Sequence, residues 1–449
     1  MSEGGLFEPI FVPDGLREAV CDRAWLQAML DAEAALAAAQ AGAGLISTED
    51  ADAIRARCDA ERFDAEELGR AGRAAGNPVV PLVKALTAEV PGRAGRQVHR
   101  GATSQDITDT GAMLVAARSL DVILPDLEAL AAHCARLADD HRATLMAGRT
   151  LMQQALPVTF GLKAAGWLVA VVEARRGLAR VREHGLAAQL GGAAGTLASL
   201  GEAGPAVLTG FARELDLAEP VVPWHASRGR LVELAGALAV CAGVAEKVAR
   251  DVILMAQTEV GEVAEPSGGG RGGSSTLPHK RNPILSVTAV AGARRARSAA
   301  QTLQAAMDHE HERAAGAWHA EWQAIGEALS ATGGAAAAMR EALGGLEVYP
   351  DRMRGNLDAT GGLILAENVT TVLTGSLGRL EAHELVKAAC ERVAQNGTGL
   401  KQELLAEPSI RNAVSEEEIE AALDPAGYLG SSETFVDRAL DLYNKEVGA

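Results

Sequence analysis

The stretch GGSSTLPHKRNP, residues 272–283, combines two glycines, two adjacent serines, a lysine and an asparagine between segments with the periodicity of long helices. Glycine permits sharp turns, so the backbone amides of such a loop can point into one concavity, which suits an anion. Ser274 can carry a proton only if its alkoxide is stabilised, and Lys280 together with the loop amides could do so. The stretch therefore indicates an acid/base loop between helices, with an ordinary polar turn as the alternative.

Composition limits the class of protein. A chain of 449 residues is long enough for two or three domains and a large core. The formal charge of −17 opposes general binding to nucleic acid or acidic membranes, so an anionic substrate would need a local basic site. The N-terminus has no export signal, and no later segment is apolar enough to span a membrane. Five scattered cysteines read as reduced thiols. We therefore expect a cytoplasmic protein.

Helical periodicity dominates the sequence. Only 3% of the residues are aromatic, and alanine and leucine are abundant, which favours close-packed helices over sheets. Long helices are predicted over 16–41, 157–184, 230–264, 284–307 and 317–343. Another is opened by the polar turn at 99–110, where Thr103, Ser104 and Asp106 suit a helix start, and runs to about 141 with a possible kink at Pro125. A loop is predicted at 90–97. The fold class is therefore all-α, and five long helices in the middle of the chain indicate a bundle.

The length of these helices also predicts assembly. A helix over 230–264 would span about 50 Å at 1.5 Å per residue, more than one globular core requires. Such alanine-rich helices usually pack on other subunits as well. We expect association with other subunits and, along the chain, an N-terminal domain over 1–110, a central bundle over 111–348 and a C-terminal domain over 349–449.

The opening stretch resembles the signature loop of the fumarase/aspartase superfamily, Gly-Ser-Ser-x-Met-Pro-x-Lys-x-Asn, with Leu277 in place of methionine. The resemblance implies that Ser274 transfers the proton and that Ser275, Lys280 and Asn282 line the anion pocket. It also implies a three-domain all-α fold, a tetramer with a 20-helix core, active sites shared between subunits, and no cofactor or metal.

A second motif, HRGATSQDITDT at 99–110, resembles the superfamily's first conserved region, His-x-Gly-x-Thr-Ser-x-Asp. By this resemblance Thr103 and Ser104 hold a substrate carboxylate, which hydroxyls and amides at a helix N-terminus can do. His99 and Gln105 are further candidates for substrate contact. The alternative is an ordinary helix cap.

A third motif, GRTLMQQALPVTFGLK at 148–163, resembles the second conserved region, with one departure. Leu151 stands where the superfamily's lyases have a histidine, and leucine cannot transfer a proton. Amine or hydroxide departure generally needs an acid, whereas a carboxylate, with a pKa near 4, leaves unaided. The substitution therefore favours a stable anion as the leaving group. Thr150, Gln153 and Gln154 are the candidate binding residues of this motif, although the role of Gln154 stays open.

A fourth stretch contains Arg313, a candidate clamp for a carboxylate, followed by Trp318 and Trp322 where adenylosuccinate lyases have residues that serve the nucleotide. His279 is an additional candidate for substrate contact. The histidines of this region have no cysteine or carboxylate at metal-ligand spacing, so structural or substrate-contact roles are favoured over metal binding.

Over nearly its whole length the sequence is similar to the bacterial 3-carboxy-cis,cis-muconate cycloisomerases. That family implies a small di- or tricarboxylate substrate and internal addition of a carboxylate to a double bond. Two alternatives remain. One is a C–N lyase that releases fumarate from an adenylosuccinate-like or nitrosuccinate-like compound, and the other is a non-catalytic scaffold.

Overall fold

The computed structural model describes residues 5–267, 272–273, 276–277 and 279–447, and the predicted all-α fold is confirmed within them. In chain order the α-helices are α1 (Glu8–Phe11), α2 (Asp14–Val20), α3 (Asp22–Gly42), α4 (Thr48–Arg55), α5 (Ala65–Gly72), α6 (Val79–Glu89), α7 (Ser104–Asp140), α8 (Phe160–Arg180), α9 (Gly204–Glu214), α10 (Gly229–Met255), α11 (Ile284–Ala305), α12 (Ala317–Gly344), α13 (Pro350–Asp358), α14 (Ala366–Leu377), α15 (Arg379–Asn396), α16 (Leu400–Ala406), α17 (Pro408–Ala413), α18 (Glu416–Ala422) and α19 (Ser432–Val447).

Two short antiparallel ladders accompany the helices, and the sequence patterns did not predict them. They join β1 (Leu145–Thr150) to β2 (Gln153–Thr159) and β3 (Val263–Ala264) to β4 (Glu347–Val348). Because residues before Phe160 form β2, α8 begins later than predicted. Because the chain turns after Met255 and then enters β3, α10 is shorter than predicted. The long 157–184 and 230–264 helices were therefore placed correctly but extended too far.

The other predicted helices need smaller corrections. The helix predicted over 16–41 is divided into α2 and α3 at Cys21, whose backbone is extended (ψ 165°). Helix α7 continues through Pro125, and the predicted loop at 90–97 contains a 3₁₀ turn at Ala94–Gln97. The five long central helices are observed as α7, α8, α10, α11 and α12.

The chain divides into two compact units, and the divisions fall inside the long helices. One unit contains the chain up to Glu128, together with Glu173–Lys247 and Val287–Met339. The second contains Ala129–Val172, Val248–Ser286 and the chain from Arg340 onward. The predicted boundaries at 110 and 348 cut the chain into three consecutive domains, whereas each of these units combines separate segments. The three-domain division stays a prediction.

Small residues let the helices of the first unit approach closely. Buried alanines of α10, α11 and α12 form one cluster: Ala242, Ala293, Ala296 and Ala331. At Gly334 on α12, an added Cβ would lie 2.1 Å from the carbonyl oxygen of Phe11. Any side chain there would clash with the backbone, so only glycine permits this contact.

The second unit has its own apolar core, built from the short C-terminal helices α14 to α18. Leucine, valine and isoleucine side chains supply most of it, since each helix turns one apolar stripe inward. The buried residues are Val369, Leu373, Ala382, Val386, Ala389, Val393, Leu400, Leu404, Ile410, Val414, Ile419 and Ala422. A separate, smaller cluster contains Ala147 of β1 with Leu357, Ile364 and Leu365.

Among the described residues, none of the helices combines the length and the apolarity that crossing a bilayer requires.

Candidate active site

The N-terminus of α7 carries the second sequence motif in the first unit. The helix begins at Ser104, as the motif predicted, and both Thr103 and Ser104 are half-buried. The Thr103 amide donates to Asp106 Oδ2 at 2.9 Å, and the Ser104 carbonyl accepts from the Thr108 hydroxyl at 3.1 Å. Neither the Thr103 nor the Ser104 hydroxyl has a hydrogen-bond partner in the described part of the chain, so both can donate to an anion at the helix terminus.

Asp106 connects this helix start to a glycine turn. Its carboxylate is fully buried and accepts from the amides of Gly191 and Gly192, each at 2.9 Å. His225 Nε2 lies 2.6 Å from Asp106 Oδ1. A buried carboxylate is stable only when donors surround it, and here four donors from three segments converge on one side chain. Asp106 therefore fixes the position of the Thr103 amide relative to the glycine turn.

Gln105, a predicted substrate contact, is completely buried. Its amide nitrogen donates to Asp109 Oδ2 at 3.1 Å and to the His225 carbonyl at 2.9 Å. Its amide oxygen accepts from Arg313 Nε at 3.1 Å. These three bonds to protein groups give Gln105 the geometry of a connector between Asp109 and Arg313, and its substrate contact stays a prediction.

Arg313 itself is half-buried, and its Nη2 also donates to the Ala193 carbonyl at 3.1 Å. The guanidinium is thus held by α7 through Gln105 and by the glycine turn through Ala193. Two of the predicted site residues, Gln105 and Arg313, are therefore in direct contact. A planar guanidinium fixed in this way suits a carboxylate ligand.

A buried ionic cluster lies beneath these residues. Arg228 is 2% exposed and donates bidentately to Asp109, at 2.7 and 3.0 Å, and to Glu321, at 3.0 and 2.5 Å. The Trp318 indole donates to Asp109 Oδ1 at 3.0 Å. Burial raises the pKa of Glu321, and Arg228 partly opposes this shift. Burial alone would lower the pKa of Arg228, but the two carboxylates raise it.

His309 belongs to the same cluster. Its side chain is fully buried, with Nδ1 3.3 Å from the His225 carbonyl. Its Nε2 lies 3.2 Å from Glu321 Oε1, yet the geometry is not that of a hydrogen bond. We interpret this contact as electrostatic, and it agrees with the structural role that the sequence favoured for this histidine.

His99 lies just before α7, in a left-handed backbone conformation (φ 59°) that few residues other than glycine adopt. Its Nδ1 is 2.6 Å from Glu33 Oε1, and its side chain is 18% exposed. Burial by itself lowers the pKa of His99, but the charge and the hydrogen bond of Glu33 raise it, so the net shift is upward. This histidine is therefore partly accessible, and its pKa lies above the ordinary value.

A cavity of about 810 Å³ lies in the same unit, and none of the predicted site residues lines it. Its walls include Trp25, Met29, Thr108 and Trp322. Thr108 bonds to the Ser104 carbonyl, so the cavity begins one helical turn from the predicted anion site. Charged side chains, among them Glu66, Arg70 and Arg73, also line the cavity, so its walls are mixed in character.

The third motif forms the β1–β2 hairpin of the second unit. Thr150 pairs with Gln153 across a two-residue turn, and both are exposed. The turn residues Leu151 and Met152 have φ of 49° and 67°, and Leu151 is 97% exposed. Positive φ at both positions matches the right-handed twist of a hairpin but is strained for residues with a Cβ. Leu151, the residue that differs from the lyase pattern, is therefore exposed at the tip of the hairpin.

A buried carboxylate anchors this hairpin. Glu262 is fully buried and accepts from Arg149 at 2.9 and 2.7 Å and from the Asn356 amide at 2.9 Å. Gln154 donates to the Asn356 carbonyl at 2.9 Å, while its amide oxygen is buried and has no partner among the described residues. These contacts connect Gln154 to the anchor, whereas its predicted binding role stays a prediction.

The signature loop also lies in the second unit, and its predicted proton carrier, Ser274, and its neighbour Ser275 fall outside the described residues. His279 and Lys280 are exposed, and the Lys280 amide donates to the Leu277 carbonyl at 3.0 Å.

The two ends of this loop meet at Asn282. Its backbone and side-chain amides both donate to the Gly272 carbonyl, at 2.9 and 3.0 Å. Gly272 has φ 65°, and an added Cβ would lie 2.5 Å from the Asn282 carbonyl oxygen, so glycine is required there. Asn282 therefore closes the neck of the loop, and its contact with substrate stays a prediction.

Arg281 fastens the same neck. Its guanidinium donates bidentately to Glu347 at 3.1 and 2.7 Å, to the Tyr349 hydroxyl at 3.1 Å and to the Glu265 carbonyl at 3.0 Å. The hydrogen bonds from Arg281 and Tyr349 lower the pKa of the Glu347 carboxyl. Sequence patterns did not single out this clamp.

The buried residues of the first unit were also missed. Glu33, Asp109, His225, Arg228 and Glu321 come from four separate segments, so spacing along the chain gives no sign that they meet. One signal was present: Glu33 interrupts a run of alanine and leucine on α3, and a charge in such a face needs a buried partner.

Comparison with known proteins gives consistent results. The family described as Lyase matches residues 12–297, and the family described as Adenylosuccinate lyase C-terminus matches residues 362–439. The chain is 45% identical to a 3-carboxy-cis,cis-muconate cycloisomerase of Bradyrhizobium diazoefficiens, covering 98% of each sequence. It is 46% identical to a nitrosuccinate lyase of Streptomyces davaonensis, covering 98% of this chain and 94% of that protein.

Solved structures include similar folds. The crystal structure of 3-carboxy-cis,cis-muconate lactonizing enzyme from Pseudomonas putida matches with a TM-score of 0.93 and 43% identity, over 99% of this chain and 100% of that one. The matching families, the full-length relatives and the shared helical architecture agree with the motifs described above. The chain therefore belongs to the fumarase/aspartase superfamily.

Proposed function

We propose that this protein is a cycloisomerase that closes 3-carboxy-cis,cis-muconate to 4-carboxymuconolactone. The observation that carries the proposal is full-length similarity, at 45% and 46% identity, to cycloisomerases of that name from Bradyrhizobium diazoefficiens and Pseudomonas aeruginosa. The accessible groups at the start of α7 and the apolar residue at the hairpin tip support it.

The substrate is a small tricarboxylate, so the site must offer donors in a protein whose overall charge is −17. The Thr103 and Ser104 hydroxyls, the α7 N-terminus and the fixed Arg313 guanidinium provide such donors in the first unit. Lys280 and His279 are exposed in the second unit and are the corresponding candidates there. We propose that the reaction uses neither cofactor nor metal.

The proposed reaction forms one C–O bond and one C–H bond. One substrate carboxylate forms a C–O bond to a carbon of the double bond, and the π electrons move to the neighbouring carbon, where the adjacent carboxylate receives them as an aci-carboxylate. Ser274 then donates a proton to that carbon and is left as an alkoxide, which Lys280 and the loop amides stabilise until a proton from solvent restores the hydroxyl. In the opening direction Ser274 removes the same proton, and a carboxylate leaves.

Leu151 fits this chemistry because a carboxylate leaves without protonation. Leu151 is 97% exposed at the hairpin tip, and its side chain has no proton to transfer. A reaction that expels an amine would lack its acid there. The apolar residue thus supports lactonisation over the cleavage of adenylosuccinate or argininosuccinate.

Nitrosuccinate cleavage is a second candidate function, favoured by one specific observation. A relative named nitrosuccinate lyase, from Streptomyces davaonensis, is 46% identical over 98% of this chain. Nitrite, like a carboxylate, is a weakly basic leaving group, so the argument from Leu151 does not separate the two reactions. The substrate must therefore be decided by assay.

A panel of substrates separates these functions. Purified protein is incubated with 3-carboxy-cis,cis-muconate, nitrosuccinate and adenylosuccinate, while diene absorbance, nitrite and fumarate are measured. We expect conversion of carboxymuconate to the lactone and less than about one-hundredth of that kcat/KM on the others, a difference of about 2.7 kcal/mol in activation free energy. Nitrite release without lactone formation would transfer the proposal to the second candidate.

Strong adenylosuccinate cleavage would contradict the argument from leaving-group basicity as a whole. The variant Ser274→Ala serves as the control for contaminating activity, because it removes the proposed proton carrier.

We also propose a homotetramer with active sites shared between copies of the chain. Exposed apolar side chains on the long helices support an assembly: Val240 is 58% exposed on α10 and Val287 is 46% exposed on α11. Mixing Ser274→Ala with Thr103→Ala subunits should restore part of the activity in hybrid tetramers. Verified hybrids that stay inactive would count against shared sites.

A cytoplasmic location completes the proposal. All five cysteines carry free thiols, which suits a reducing compartment. Cell fractionation of the source organism with an antibody against the protein would check it, and recovery in the periplasmic fraction would contradict it.

A further inference from the structure

Helix α3 carries one buried carboxylate, Glu33, on a face otherwise made of alanine, leucine, methionine and the amide side chain of Gln40. Its side chain is 1% exposed, and neighbouring Leu30 and Leu36 are buried as well. Removing a carboxylate from water costs several kcal/mol unless a partner compensates, so a charge retained in such a place needs a reason. Only His99 donates to Glu33 among the described residues.

The contact between Glu33 and His99 is short and uses only one oxygen of the carboxylate. Glu33 Oε1 lies 2.6 Å from His99 Nδ1, whereas Glu33 Oε2 is buried and without a hydrogen-bond partner in the described part of the chain. The imidazole is the more exposed member, at 18%. Because Nδ1 is directed at Glu33, the other ring nitrogen, Nε2, is the one left for a ligand.

The backbone holds the ring from the other side. His99 has φ 59°, and its carbonyl accepts the Ala102 amide at 3.4 Å in the turn that leads into α7. A left-handed backbone is unfavourable for a histidine, so surrounding contacts must maintain it. The ring is therefore fixed by the backbone turn and by Glu33 together, four residues before Thr103.

We propose that Glu33 is a positioning residue, whose carboxylate orients the His99 ring through Nδ1–H so that Nε2–H is offered to a carboxylate of the substrate. The identity of that substrate rests on the proposed function. A carboxylate that orients a histidine while remaining outside the ligand's reach is a common arrangement at functional sites. Glu33 belongs to none of the sequence motifs.

The charges around His99 agree with this role. Two carboxylates act on the ring, Glu33 from α3 and Asp106 from α7, and Asp106 in turn contacts His225. Burial opposes protonation of the ring, and the two carboxylates raise the pKa of His99 above its ordinary value. A protonated ring donates from both nitrogens. The proposed role requires both donors, because Nδ1–H bonds to Glu33 and Nε2–H bonds to a substrate carboxylate.

The test compares Glu33→Gln with a matched control, Asp31→Asn. Asp31 lies on the same helix and pairs with Arg118, and it has no contact with His99. Two quantities are measured in the parent and both variants: the titration of His99 by NMR of side-chain-labelled histidine, assigned with His99→Gln, and kcat/KM on carboxymuconate from pH 5.5 to 9.

We expect Glu33→Gln to lower the pH at which His99 titrates and to move the alkaline decline of kcat/KM to lower pH by the same amount. At pH 8 we expect kcat/KM to fall roughly 10- to 100-fold, the range for carboxylates that orient histidines in metal sites. Asp31→Asn should change neither profile. In a His99→Gln background, Glu33→Gln should cost less than about twofold, because the partner is already gone.

Several results would overturn the proposal. An unchanged His99 titration in Glu33→Gln, or an equal loss of kcat/KM in the presence and absence of His99, would show that Glu33 supports packing only. If Glu33→Gln does not fold, NMR of the parent protein still tests the proposal. A His99 ring that is neutral and protonated on Nε2 at pH 7 contradicts it. A parent inactive on carboxymuconate contradicts the proposed function, while the titration still decides the role of Glu33.

Discussion

The buried ionic cluster of the first unit and the hairpin tip of the second hold their residues in opposite ways. Arg228, Asp109 and Glu321 are almost fully buried and satisfy one another with bidentate hydrogen bonds. Leu151 and Met152 are exposed at 97% and 69%, and their strained turn depends on an anchor beneath it. The residues of the cluster are held by contacts with one another. The two residues at the tip instead expose their side chains. Substitutions in the cluster should therefore lower stability far more than substitutions at the tip.

The largest effect on stability is expected for Arg228→Met. Removing the guanidinium leaves Asp109 and Glu321 facing each other without a buried cation, which typically costs about 3–5 kcal/mol of unfolding free energy. Urea unfolding followed by circular dichroism measures it. The matched control is Arg295→Met, which breaks an exposed pair with Glu327 and should cost less than about 1 kcal/mol. Equal losses in the two variants would remove the distinction between cluster and surface.

A smaller loss is expected from Glu262→Gln, which tests the anchor of the hairpin. A glutamine amide is uncharged and has only one oxygen, so it cannot replace the two carboxylate oxygens that accept from the Arg149 guanidinium. We therefore expect the free energy of unfolding to fall by about 2–3 kcal/mol. Glu347→Gln, which weakens the more exposed pair with Arg281, serves as the control, with an expected loss below about 1 kcal/mol. A hairpin whose amide exchange is unaffected by Glu262→Gln would contradict the anchor.

Little change in stability is expected at the tip. Leu151→Gly removes an exposed side chain and relieves a positive φ, so the unfolding free energy should stay within about 1 kcal/mol of the parent. Leu151→His, with the same exposure, should neither speed lactonisation nor create adenylosuccinate cleavage. A large loss of stability in Leu151→Gly would mean that the leucine is buried against a partner copy.

The smallest effect concerns pH. His99 has a pKa raised above its unfolded value, so its contribution to stability is complete below the unfolded pKa, near 6.5, and is lost as pH rises through the folded pKa. The difference in stability between the parent and Glu33→Gln should therefore be greatest below pH 6 and smaller at pH 9. Thermal unfolding at these pH values checks the sign, and a difference that grows toward pH 9 would reverse it.

Periodicity predicted the helical architecture because long apolar stripes leave a repeating pattern in the sequence. The motif at 99–110 likewise predicted that α7 begins at Ser104. The β1–β2 hairpin was missed because its turn, Leu151-Met152, lacks the Asn-Gly or Gly pattern that signals such turns, and it adopts positive φ without glycine. Local rules failed where tertiary contacts, here Arg149 with Glu262, impose the conformation.

The same limit applies to the site residues, whose roles stay predictions. Thr103, Arg313 and Lys280 lie in motifs that can be read along the chain, whereas Glu33 and His225 acquire partners only by folding. Gln105 and Asn282 were predicted as ligand contacts, and their amides bond to Asp109 and Gly272 within the protein. A motif indicates that a residue matters, but it does not distinguish a group that touches the ligand from one that supports the site.

The loop closed by Gly272 and Asn282 is the centre of the proposed chemistry, and turnover by Ser274→Ala tests it most directly. The variant is compared with the parent and with Thr276→Ala, an exposed hydroxyl of the same loop, after all three are shown to share the same circular dichroism spectrum and oligomeric state. We predict that Ser274→Ala lowers kcat on carboxymuconate at least about 100-fold, the scale of losing one acid/base group, while Thr276→Ala stays within about threefold of the parent. A Ser274→Ala enzyme that forms lactone at nearly the parent rate would contradict the assignment of this serine as the proton carrier.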